Sequence, residues 1–163
     1  MILNFKKYKD KASTLSCTRS DGSICWTQLR PNFEDHDLAH YAVETILGYK
    51  EAFYGLVDQG YEIGDFELPR EQRPVDLLPH NLPLESLQTE HMVNLLMIEH
   101  RNSGDPADYI KTLSKILSEK EIPFPKGLNE ESLQNIRSLF HQLAEDWLAL
   151  PPGEVMELPV VYN

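Results

Sequence analysis

The residue pattern predicts an α+β fold: antiparallel strands and a hairpin at the N-terminus, about four helices, and a possible edge strand at the C-terminus. Three observations carry this. Ser20-Asp21-Gly22-Ser23 lies between two short alternating runs, which is a hairpin signal. Apolar residues then recur at helical spacing between positions 33 and 150. Alternation returns from Glu154 to Tyr162.

Ile2 to Tyr8 reads as a strand, followed by a Lys9-Asp10-Lys11 turn. Thr14 to Arg19 and Ile24 to Leu29 read as the hairpin arms, so strands fill residues 1–30. A two-residue Asp21-Gly22 loop pairs Arg19 with Ile24, Cys17 with Trp26 and Leu15 with Gln28. That register gathers Leu15, Cys17, Ile24 and Trp26 on one apolar face and is preferred for this reason. A three-residue loop would pair Cys17 with Cys25 and strand Trp26 among Ser16 and Thr18. In the preferred register the two cysteines point to opposite faces and cannot bridge.

Residues 33–60 read as one long central helix. Asn32, Asp35 and Asp37 suit its positive end, and Gly60 suits its C′ position. The helix would hold about 22–24 residues and span roughly 35 Å. At 100° per residue, Leu38, Ala42, Ile46, Tyr49, Phe53 and Leu56 share one arc. His36, His40, Glu44, Glu51 and Asp58 fall on the opposite side, as a polar ridge or cleft wall. Gly48, Ala52 and Gly55 form a narrow strip where another element could approach closely.

Residues 61–82 contain Pro69, Pro74 and Pro79, too many for a helix, and read as a packed connecting loop. Three helices are expected over residues 84–150. The first, Leu84 to about Arg101, carries a stripe of Leu84, Leu87, His91, Leu95 and Ile98. The second opens at Asp105-Pro106 and runs to Lys120, with Tyr109, Ile110, Leu113, Ile116 and Leu117 inside. The third is capped by Asn129 and runs to Leu150, burying Leu133, Ile136, Phe140, Leu143, Ala144 and Trp147. Residues 154–162 form the last strand, and Pro159 places it at an edge.

The chain has 163 residues, 41% hydrophobic and 25% charged, which fits a single globular domain. A net charge of −11 repels a phosphate backbone, so no nucleic-acid partner is expected. No apolar run is long enough to span a membrane, and no signal-peptide pattern opens the chain, so a cytoplasmic location is expected. Two cysteines in that compartment read as reduced thiols.

The string HDLAHYAVE, followed by AFYGLVDQG, resembles a family of uncharacterised bacterial proteins. That family carries a proline-His-Asp-Leu-x-His-Tyr-x-Val-Glu string and then a Gly-Phe-Trp-Gly-like one. His36, Asp37, Leu38, His40, Tyr41, Val43 and Glu44 match it, and Phe53, Tyr54 and Gly55 stand where Phe-Trp-Gly would. Asp35 departs from the proline and Ala52 from the first glycine. The resemblance implies no function and assigns no catalytic residues.

His36 and His40 lie one helical turn apart, with Cβ atoms about 6 Å apart, a spacing that can chelate one ion. Asp37 occupies the place of the glutamate base in the His-Glu-x-x-His helix of zinc hydrolases. A third ligand must come from elsewhere: His91 foremost, with Glu90, Glu99, His100 and His141 as further candidates. Glu44 lies two turns from His36, about 12 Å of rise, and cannot easily complete the same site; His40 with Glu44 is an alternative ligand pair. The structural alternative is a capping Asp37, a solvated His36 and a His40 hydrogen-bonded to Glu44 or a loop.

Neither cysteine sits in a catalytic signature, and no nucleophile elbow or phosphate-cradling loop occurs. The first expectation is therefore a non-catalytic domain without cofactor, acting through an unknown protein partner or as a homo-oligomer. Tyr54 and Trp26 are residues that could face outward for such a role. The alternative is a protein holding one divalent metal such as zinc on His36, His40 and His91, or a metal-dependent hydrolase with Asp37 as base.

Overall fold

A computed structural model describes residues 1–30, 33–102 and 108–162, without the side chain of Asn102. The architecture is α+β. Strands β1 (Ile2–Lys6), β2 (Thr14–Thr18), β3 (Ile24–Gln28) and β4 (Val155–Pro159) form one antiparallel sheet in the order β3-β2-β1-β4. The final strand lies at an edge, where Pro159 can be accommodated. The described residues form five α-helices: α1 (Glu34–Leu47), α2 (Phe53–Asp58), α3 (Leu84–Asn102), α4 (Tyr109–Glu119) and α5 (Glu130–Ala149). One core joins Leu3, Phe5, Leu15, Cys17, Cys25 and Leu158 from the sheet to buried residues of every helix.

The hairpin takes the other register. Cys17 lies opposite Cys25, and Ser16 opposite Trp26. The amide of Gly22 donates to Arg19 O (3.0 Å), and that of Arg19 donates to Ser23 O (2.8 Å). Gly22 has φ 87, so the connection is a type I turn followed by a left-handed bulge residue. The extra residue turns Ile24 and Trp26 outward, where they are 67% and 64% exposed. It brings both cysteines inward as cross-strand neighbours on the same buried face, as free thiols. Matching apolar residues across the strands misjudged this, because turn geometry sets the register before the faces are filled.

The central helix is two helices. Gly48 adopts φ 67, and Tyr49 N–H closes back onto Glu44 O at 3.0 Å, a Schellman-type ending. The chain then turns at Lys50 and Glu51, whose amides both donate to Glu85 Oε2 at 2.7 Å. Ser86 Oγ donates to Glu51 O at 2.6 Å. The first turn of α3 thus satisfies the backbone that a continuous helix would have satisfied internally. Gly60, with φ 115, follows α2. The glycine strip has two separate causes: Gly48 supplies the left-handed cap, and Gly55 lets the Lys50 carbonyl lie where a Cβ would be.

α1 packs against both α3 and α5. Every residue from Leu38 to Glu44 is buried, through nearly two turns, so the proposed polar ridge is enclosed at His40 and Glu44. Tyr54 is buried as well, its hydroxyl donating to Asp37 O at 3.0 Å, and cannot serve an outward role.

The stripe expected on α3 is turned by roughly 170°, at 100° per residue. Thr89, Met92, Val93, Leu96 and Met97 are buried, whereas Leu84 and Ile98 are exposed. α5 follows its sequence: Asn129 and Ser132 form a reciprocal capping box, and Leu133, Ile136, Phe140, Leu143 and Trp147 are inside. α4 buries Tyr109, Leu113 and Leu117. The expected start of that helix at Asp105-Pro106 lies outside the described residues. The proline-rich connection between α2 and α3 is ordered around 3-10 turns at Ile63–Glu67 and Val75–Leu77. Among the described residues, no helix is long and apolar enough to cross a membrane.

Candidate metal centre

His36 and His40 come from adjacent turns of α1 and Glu90 from the middle of α3. One donor atom from each lies within 4.8 Å of the other two. Three such atoms lie within about 2.8 Å (4.8/√3) of a common point, against about 2.0–2.1 Å for a zinc–nitrogen bond. His40 Nε2 and Glu90 Oε1 are 3.6 Å apart. Adjacent ligands on a tetrahedron around zinc are separated by about 3.4 Å, so this pair already has the right spacing. The Glu90 side chain is half exposed and free to close the remainder.

The other nitrogen of His40 is held from behind. Glu44 Oε1 lies 3.3 Å from His40 Nδ1, and both side chains are buried, at 4% and 3% exposed. An ionised carboxylate only accepts, so the Nδ1 proton is held by Glu44, and Nε2, on the Glu90 side, is the nitrogen that would release its proton to a metal. This is the carboxylate–histidine arrangement that orients metal ligands. Glu44 is itself anchored, accepting from Tyr54 N–H at 2.9 Å. The break at Gly48 therefore has a consequence at the site: it folds the start of α2 back onto a carboxylate one turn earlier in α1.

Burial raises the pKa of the Glu44 carboxyl, opposed by His40 and the amides of Tyr54 and Gly55. Burial alone would lower that of His40, but the Glu44 hydrogen bond and the charges of Glu90 and Glu44 outweigh it, and the net direction is upward. Both shifts describe a buried pair that retains one proton tightly.

His36 Nδ1 is buried without a hydrogen-bond partner. Asp37 Oδ1 lies 3.7 Å from it, beyond direct hydrogen-bond range. An unsatisfied buried polar atom costs about 1–3 kcal/mol, which a proton shared with Asp37 or coordination of a cation would relieve. Asp37 also opens on the cavity in front of the histidines, which measures about 360 Å³.

Of the third ligands considered, Glu90 joins the histidines and His91 does not. Turning the buried face of α3 puts Glu90 at its edge towards α1 and carries His91 away. Burial and the Lys120 ammonium lower the pKa of His91, against the opposing charge of Glu90. Glu99 is committed to Arg137 through contacts of 2.6 and 3.1 Å. His100 lies beside Phe140 and His141, 3.7 Å from Asp35. The aromatic lining of the cavity has no local signal: helical spacing groups Phe53 with core residues, and Phe33 and Phe66 belong to no motif. Comparison with protein-family models, with curated proteins and with solved structures finds no match, so the site's chemistry is read from these side chains alone.

Proposed function

We propose that this chain binds one divalent metal ion through His36, His40 and Glu90, with Glu44 orienting His40. The observation that supports this best is the convergence of three donors from two helices on one end of a cavity, one of them braced by a buried carboxylate. Two histidines and one carboxylate leave at least one coordination position for water or substrate, the pattern of catalytic rather than structural zinc. The same donor set suits ferrous iron. The reaction class it fits is metal-assisted hydrolysis: an ion held by these residues would supply Lewis acidity to a coordinated water, and Asp37 would serve as the base.

The test is elemental analysis of protein purified without chelator, followed by titration of the stripped protein with zinc. About one equivalent in the wild type, and a loss in His40→Ala and in Glu90→Ala, is expected. Less than about a tenth of an equivalent, with no saturable binding on titration, would remove the reading.

A second reading, of self-association or a protein partner, is favoured by Ile24 and Trp26 on the solvent-facing side of the sheet. Sedimentation equilibrium over a hundredfold range of concentration checks the self-association arm. A constant monomer mass excludes it.

A further inference from the structure

The cavity in front of the histidines has a composition that the metal reading does not use. Phenylalanine rings flank the two histidines on both sides, Phe33 beside His36, and Phe53 followed by Phe66 beside His40. Phe53 lies 5.3 Å from the His40 ring and 4.8 Å from Phe66, and Phe33 lies 4.8 Å from His36. Leu29 and Ile63 complete the apolar lining. These groups come from β3's end, α1, α2 and the 3-10 turn at Ile63–Glu67, so the lining is made only when the tertiary fold is complete.

Charge narrows the occupant. Arg30 is the lining's one Lys or Arg among the described residues, and Glu67 neutralises it at 2.9 Å. Asp37, Glu67 and Glu90 line it with carboxylates, beside the neutral side chains of Thr27 and Gln28. A polyanion such as a nucleotide would find no unpaired Lys or Arg here. The volume of about 360 Å³ sits near the small end of ligand pockets, room for one ring and a short head group.

We infer that the cavity takes a small planar aromatic ligand carrying a single metal-binding head, the ring against Phe53 and Phe66 and the head at His36, His40 and Glu90. This rests on the metal reading, because the head needs the ion. The ring stacks edge-on or offset against the phenylalanines, as aromatic pairs prefer. Burying it displaces water from an apolar wall while leaving the acidic rim solvated.

The experiment uses the zinc-titrated full chain and two probes with the same head group, benzohydroxamic acid and acetohydroxamic acid, with affinities read by calorimetry. Zinc uptake is measured first in every protein. The expected result is that the aromatic probe binds at least about tenfold more tightly, on the scale of discrimination that apolar pockets reach. Phe66→Ala should abolish most of that preference, and Phe66→Leu, which keeps an apolar side chain without the ring, should reduce it. Equal affinity of the two probes in zinc-loaded protein, or a preference that survives both substitutions, overturns the ligand inference and leaves the metal reading standing. Failure to take up zinc in the wild type overturns the metal reading, and the ligand inference with it.

Discussion

Substituting Gly55 by alanine tests the link between the helix break and the site. A Cβ at this position would stand 2.1 Å from the Lys50 carbonyl oxygen and 2.4 Å from its carbon. Ordinary contact lies near 3.5 Å, so the turn at Lys50 and the start of α2 must separate by more than about 1 Å. Neither partner is a flexible side chain. Overpacking of this kind costs about 1–3 kcal/mol. The same displacement draws the Tyr54 amide away from buried Glu44, adding about 1–3 kcal/mol for an unsatisfied group. A total loss of about 2–6 kcal/mol is expected, a large part of the about 5–15 kcal/mol that holds a typical domain. Urea unfolding of the metal-stripped protein measures it. Gly64→Ala is the control, because nothing lies within 4 Å of its Cβ position and its φ is not in the left-handed region. That change should be neutral or stabilising by up to about 1 kcal/mol. Should Gly55→Ala unfold at the same urea concentration as the wild type, the described turn, and the anchoring of Glu44 by α2, would be refuted.

Glu44→Gln keeps the shape but leaves one acceptor oxygen for two donors, setting an amide NH2 against either His40 Nδ1–H or Tyr54 N–H, and is expected to weaken zinc binding about 10–100-fold in a competition titration. The Glu44–His40 pair also predicts a pH dependence. Both folded-state pKa values are raised, so the folded protein holds its proton more tightly than the unfolded chain. The His40 contribution is fully present below about pH 6.5, the ordinary histidine value, and is lost as pH rises through the raised value. Metal-stripped protein should therefore be less stable at alkaline than at slightly acidic pH, and His40→Gln should flatten the profile; an unchanged profile in that variant refutes the assignment. Cys17 and Cys25 are buried, and burial raises the pKa of both thiols. Neither should react with iodoacetamide until denaturant is added, as intact-mass measurement will show.

Local patterns settled the elements whose chemistry is complete within a few residues. Asn129 with Ser132, and the regular apolar spacing behind them, specified α5 because a cap and one strongly apolar face leave no competing arrangement. The α+β class followed from the same logic, and so did the pairing of His36 with His40, since one helical turn dictates their proximity.

Choices between near-equal alternatives needed the packed fold. α3 has apolar residues on almost every side, so its orientation was decided by what α1 and α4 offered, and with it the selection of Glu90 over His91. Gly48 could have been tolerated inside a helix at about 1 kcal/mol. It became a terminator because Glu85 and Ser86, from a distant segment, were in place to receive the freed backbone. The hairpin register turned on a single left-handed glycine. What the chain alone determined was which donors exist and which share a helix. Which of them meet was decided by long-range burial and hydrogen bonding, whose partners lie too far apart in sequence for any local pattern to register.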